Sequence, residues 1–148
     1  MNPPDNTEET SLGEPVRPLV LVVDDDEAIR ESLRELLEDA GFDTIGARHG
    51  LEALNLLAAL PIAPAFILLD LMMPVMDGWA FCDKRQMSRV FSDVPVIAIS
   101  ATDISESNRP AGIDAFVAKP IDADKFARLA VRMAGRKIAR ARSRGVLH

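Results

Sequence analysis

An α/β domain with a parallel sheet is the fold class this chain predicts, on three observations. Short aliphatic runs that do not alternate with polar residues occur at 19–23, 66–69 and 96–99. Such runs suit strands buried on both faces, as in a parallel sheet covered by helices on either side. Stretches with apolar residues at helical spacing lie between them, and strand and helix signals alternate five times. Finally, several runs end abruptly in a charged or polar side chain: Asp24, Asp70, Ser100 and Lys119.

Composition bounds the rest. The 148 residues suffice for one domain with a real core. Hydrophobic residues make up 48% of the chain, yet no apolar run approaches the roughly 20 residues of a membrane span. The N-terminus is polar and acidic, unlike a signal peptide. One cysteine, Cys82, excludes an intramolecular disulfide framework and points to a reducing, cytoplasmic setting. The net charge of −6 is unevenly spread. Residues 132–148 hold six basic side chains and no acid, while the other 131 carry 11 basic and 23 acidic ones, a balance of −12. An acidic body argues against nucleic-acid binding throughout.

In chain order, residues 1–17 mix prolines with Thr, Ser, Glu and Asn, too little apolar surface to offset ordering entropy, and are expected to be a flexible arm. The domain proper is placed at 18–134. Strand 19–23 leads into Asp24, Asp25 and Asp26, then a helix from about Glu27 with Ile29, Leu33, Leu36, Leu37 and Ala40 on one face. Acids in its first turn suit the helix dipole, and Gly41 is placed to end it. Residues 42–47 form a short strand; 50–60 form a second helix built on Leu51, Leu54, Leu57 and Ala58 and stopped by Pro61 and Pro64. The run from Phe66 ends at Asp70, followed by Pro74 and an Asp77-Gly78 turn, and 78–88 reads as helical. Pro95 opens strand 96–100. Residues 101–112 are polar and interrupted by Pro110, which argues against a long helix there. Residues 115–120 give the fifth strand. The last helix starts after Asp122 with Phe126, Leu129, Ala130 and Met133 at helical spacing, and the basic tail at 135–148 can extend it to about Arg142.

In a parallel sheet the strand ends share one edge, so these side chains can converge from distant parts of the chain. Clustered carboxylates repel one another unless a cation joins them. Carboxylates, backbone carbonyls and water are the usual ligands of Mg²⁺. A hydroxyl and a lysine beside such an ion add a donor and a fixed positive charge for phosphoryl oxygens, and phosphoryl transfer needs little beyond positioning and charge neutralisation. Asp70, alone at its strand end, is the better nucleophile, since aspartyl phosphates are established intermediates. Asp24 and Asp25 are better suited to metal.

On these residues the chain resembles a receiver domain of the bacterial response-regulator family of two-component signalling. The resemblance spans about 19–132. It rests on Leu21-Val22-Val23-Asp24-Asp25-Asp26, on Leu69-Asp70-Leu71-Met72-Met73-Pro74-Val75-Met76-Asp77-Gly78, on Val96-Ile97-Ala98-Ile99-Ser100-Ala101 and on Lys119-Pro120. It implies a flavodoxin-like (βα)5 three-layer sandwich with strand order 2-1-3-4-5. It implies Asp70 as phosphoacceptor and Asp24 and Asp25 as the acidic pocket, with Mg²⁺ held there together with Asp70 and the backbone carbonyl of Met72. Ser100 and Lys119 would contact the phosphoryl group, and Phe116 would hold the place of the switch aromatic. The Lys119-Pro120 bond would be cis. The implied partner is a sensor histidine kinase or phosphotransfer protein; the downstream target is a protein, with no direct DNA binding expected. No turnover beyond self-phosphorylation and self-dephosphorylation at Asp70 is implied.

The interval from Ser100 to Lys119 is about three residues shorter than is usual in the family, close to one helical turn. A short or irregular fourth helix is therefore expected. Two other readings stand beside this one. A phosphohydrolase of the haloacid-dehalogenase type would use Asp24-Asp25-Asp26 as its Asp-x-Asp, but Glu27-Ala28 follows where that class has Thr or Val. A receiver-like adaptor would bind partners without phosphorylation.

Overall fold

The computed structural model describes residues 17–71, 80, 93–100 and 112–143, with residues 136–143 described by backbone alone. Five strands, β1 (Leu19–Val23), β2 (Asp43–Ala47), β3 (Phe66–Asp70), β4 (Val96–Ser100) and β5 (Ala115–Ala118), form one sheet. All their pairings are parallel, in the order β2-β1-β3-β4-β5. The described helices are α1 (Glu27–Asp39), α2 (Gly50–Ala59) and α3 (Ala123–Ser143). The chain steps from β1 outward to β2, then back across β1 to β3. That reversal opens a crevice at the carboxyl ends of β1 and β3, the place where open α/β sheets bind ligands.

Strand side chains alternate between two apolar layers. Val20, Val22, Leu68, Ile97 and Ile99 pack under α1 and α3 with Leu33, Leu37, Phe126 and Ala130. Leu21, Val23, Ile67, Leu69 and Ala98 pack on the opposite face with Ala53 and Leu57 of α2. Since β3 and β4 are buried along their whole length, the unalternating runs reflect cover on both sides.

Helix α1 begins where Asp26 accepts hydrogen bonds from the backbone N–H groups of Ala28 and Ile29, at 2.9 and 3.1 Å. It ends at Gly41, whose φ of +103° is a conformation that glycine adopts without strain. Helix α2 occupies the expected span, but its buried face differs from the expected one. Gly50, Ala53 and Leu57 are buried, whereas Leu51 and Ala58 are exposed. Nearly every residue of α2 is apolar, so periodicity does not select a face, and the buried side is the one that packs on the sheet; the helix start is fixed by its cap. There His49 Nδ1 accepts from the Glu52 N–H at 3.1 Å, and the Glu52 carboxylate accepts from the Arg48 N–H at 2.7 Å. Helix α3 buries Phe126, Ala130 and Met133, then runs ten residues further to Ser143. Asp122 opens it by accepting from the Lys125 N–H at 3.0 Å. The helix expected at 78–88 and the short or irregular fourth helix expected within 101–112 lie outside the described residues, as do Cys82 and, apart from Arg17, the expected arm.

Candidate functional site

The residues that end the strands meet at one edge of the sheet. Register explains how: Val23 of β1 pairs with Leu69 of β3, Asp70 pairs with Ile99 of β4, and Ser100 pairs with Ala118 of β5. The residue that follows each strand, or ends it, is thereby brought to the same level. The Lys119 N–H donates to the Ser100 carbonyl at 3.0 Å and fixes the start of the lysine. The Lys119-Pro120 peptide bond is cis, as the resemblance implies.

Asp24, Asp70 and Ser100 are buried, at 1, 6 and 1% exposure, although polar residues seldom are. Lys119 Nζ stands 3.8 Å from Asp70 Oδ2 and 4.0 Å from Asp24 Oδ2, between the two carboxylates and too far from either for a hydrogen bond. Asp24 Oδ1 accepts from the Asp26 N–H at 2.9 Å. Asp24 Oδ2 is buried and has no hydrogen-bond donor among the described residues. Burial pushes the Asp24 carboxyl up to about 6; the Asp26 N–H opposes the rise, Asp70 adds to it, Lys119 opposes it and Asp25 adds again.

Asp24, Asp25 and Asp70 each offer an oxygen within 4.8 Å of the others, with Asp25 exposed to solvent. Three hard oxygen donors, two of them from buried carboxylates, fit a divalent cation such as Mg²⁺. Met72, whose carbonyl was expected to join them, lies outside the described residues. The third acid of the run, Asp26, takes a different part as the cap of α1. Phe116 lies on β5 opposite Ala98, partly buried against the layer that contains α2.

One contributor escaped the sequence reading. Arg30 Nη1 donates to the Asp24 carbonyl at 2.8 Å and so holds the backbone at the pocket. Its side chain lies on Gly46, where an added Cβ would come within 3.2 Å of Arg30 Cδ. The available signal was a cation one helical turn beyond Asp26, beside a glycine in a short strand.

A doubly wound parallel sheet of order 2-1-3-4-5 with an acidic pocket at its switch point defines a flavodoxin-like class of domain. The chain belongs to the response-regulator family: the model of the response regulator receiver domain matches residues 20–130. It is similar to the response regulator MprA of Mycobacterium sp. (strain KMS), 46% identical over 101 residues, covering 68% of this chain and 41% of that protein. The chain thus spans about two fifths of the length of such relatives. Among solved structures, the receiver domain of the Francisella response regulator 1452 is 31% identical with a TM-score of 0.71, covering 81% of this chain and 98% of that one. The receiver domain of the sensor histidine kinase PA1611 of Pseudomonas aeruginosa PAO1 shares the fold, with a TM-score of 0.73 at 22% identity and coverage of 81 and 99%. That protein has a magnesium ion coordinated in its active-site cleft.

Proposed function

We propose that this chain is a phosphoacceptor receiver in which Asp70 takes a phosphoryl group from the phosphohistidine of a sensor histidine kinase or phosphotransfer protein. One observation carries the reading: the Lys119 ammonium lies 3.8 and 4.0 Å from two buried carboxylates, at the sheet edge where Ser100 is also buried. Burying such groups in an apolar core is costly, and clusters of them with a raised carboxyl pKa are concentrated at functional sites.

In the reaction an oxygen of the Asp70 carboxylate attacks phosphorus. The new O–P bond forms as the P–N bond breaks, and the bonding pair returns to the donor's imidazole nitrogen. Lys119 pairs with the charge gathering on the phosphoryl oxygens, and the Ser100 hydroxyl donates to one of them. Asp24, Asp25 and Asp70, with the Met72 carbonyl, would hold Mg²⁺, which when bound offsets the negative charge of carboxylates and phosphoryl group together. Arg30 keeps the Asp24 backbone in place. Drawing Ser100 toward the phosphoryl group would free space for Phe116 to turn inward from β5, which changes the surface offered to a downstream protein.

The test is Mg²⁺-dependent labelling by acetyl phosphate, read by intact-protein mass spectrometry. Wild type is expected to gain one phosphoryl group and Asp70→Asn none. Absent labelling of wild type, or undiminished labelling of Asp70→Asn, would overturn the reading.

A further inference from the structure

We propose that Arg30 is a positioning residue that sets the cation affinity of the pocket by orienting Asp25, and that Gly46 is the gap in β2 that lets it do so. The inference rests on the Mg²⁺ site of the proposed function. Asp24 is tied down on three sides. Its N–H donates to the Ala47 carbonyl at 3.1 Å, its Oδ1 accepts from the Asp26 N–H at 2.9 Å, and its carbonyl accepts from Arg30 Nη1 at 2.8 Å. The third tie acts on the next residue. A peptide unit is planar, so holding the Asp24 carbonyl also holds the Asp25 nitrogen and the direction in which the chain continues. Asp24 and Asp70 are buried among neighbours that restrict them, whereas Asp25 is exposed. An exposed ligand has no core to orient it, and fixing its backbone beforehand lowers the entropy lost on binding.

Arg30 reaches the loop from the first turn of α1, where its own N–H donates to the Asp26 carbonyl at 2.9 Å. Its half-buried side chain lies over β2 at Gly46. Gly46 pairs with Val22, a residue of the apolar layer under α1. A Cβ at Gly46 would stand 3.2 Å from Arg30 Cδ, 3.5 Å from Nε and 3.6 Å from Cγ. The missing side chain therefore leaves the room that the arginine stem occupies. A β-branched residue there would fill it and displace the guanidinium from the Asp24 carbonyl.

Two effects of Arg30 on a bound cation oppose each other. Its positive charge repels the ion, so charge alone predicts tighter binding once Arg30 is removed. Solvent and salt weaken that repulsion at a half-buried rim. Its hydrogen bond holds the ligands in place, and losing a partner of this kind behind a metal ligand commonly costs about ten- to a hundredfold in affinity. Positioning wins. Removing Arg30 therefore weakens binding although it takes away a positive charge, and the sign of the change separates the two effects.

Mg²⁺ titration of the full chain, followed by amide NMR with no phosphodonor present, tests this. Arg30→Met is expected to bind roughly tenfold more weakly than wild type. Gly46→Val, which keeps Arg30 but takes its room, is expected to weaken binding in the same direction. Arg34→Met removes a cation one turn further along α1, where Arg34 Nε donates to Thr44 Oγ1 at 3.0 Å, and is expected to bind no more weakly than wild type. In an Asp25→Asn background, Arg30→Met is expected to cost less than about threefold, because the ligand it positions has lost its charge. The amide dispersion of each spectrum checks folding. Arg30→Met or Gly46→Val binding as tightly as wild type, or a tenfold loss that persists in the Asp25→Asn background, would overturn the proposal. Acetyl phosphate labelling at saturating Mg²⁺ reports on the phosphoacceptor reading separately. A wild type that binds Mg²⁺ with this dependence on Arg30 but takes no phosphoryl group would overturn that reading and support this one.

Discussion

Asp24 is 1% exposed, and among the described residues only one of its two oxygens has a hydrogen-bond donor. Its carboxyl is raised from 3.8 to about 6, chiefly by burial. Between those two values the folded state binds the proton more tightly than the unfolded chain does. Stability therefore falls as pH rises through this window and levels off above it. Asp24→Asn keeps the acceptor for the Asp26 N–H and removes the buried charge. It is expected to gain on the order of 2 kcal/mol at neutral pH and to lose the decline between pH 4 and 6. Urea denaturation across that range measures both. Weaker Mg²⁺ binding by the same variant would mark the strain as one that a cation relieves. Unchanged or lower stability would show that Lys119 already compensates the charge.

At the scale of elements, neighbouring acids divide their work. Asp26 caps α1, whereas Asp25 is exposed beside Asp24 and Asp70 as a candidate cation ligand. Asp26→Ala should cost about 1 kcal/mol and leave Mg²⁺ affinity nearly intact; Asp25→Ala should do the reverse. Thermal melts paired with a Mg²⁺ titration separate them. The run Asp24-Asp25-Asp26 could not show this division, because capping is set by backbone direction after β1 and not by residue type. Glu52 is a similar case. Its carboxyl is held below the usual range, first by the Arg48 N–H and also by the Arg48 side chain. Glu52→Ala should destabilise the start of α2 by about 1 kcal/mol, read by the urea midpoint. The strands, by contrast, were legible because burial on both faces writes a continuous aliphatic run. The first and last helices were legible because each has one apolar face. Helix α2, apolar almost all round, hid its buried side, and with it the His49 cap.

For the whole molecule, the pocket draws on the ends of β1, β3, β4 and β5, so it exists only when the sheet is assembled. Strand ends ordered along one edge made Asp70, Ser100 and Lys119 readable together from sequence, while Arg30 reaches the pocket from a helix and left no such mark. A site built this way couples ligand binding to global folding. A cation that binds the folded chain and not the unfolded one stabilises it by about 2.7 kcal/mol at a concentration a hundred times its Kd. Saturating Mg²⁺ is therefore expected to raise the urea midpoint of wild type without changing the slope of the transition. The gain should persist in Asp26→Ala, whose lesion is confined to a cap. It should shrink in Asp25→Asn and Asp70→Asn, which keep size and hydrogen-bonding oxygen but lose charge. A gain of equal size in all four proteins would mean that the ion acts on the acidic body at large. A gain confined to wild type and Asp26→Ala would place it among Asp24, Asp25 and Asp70.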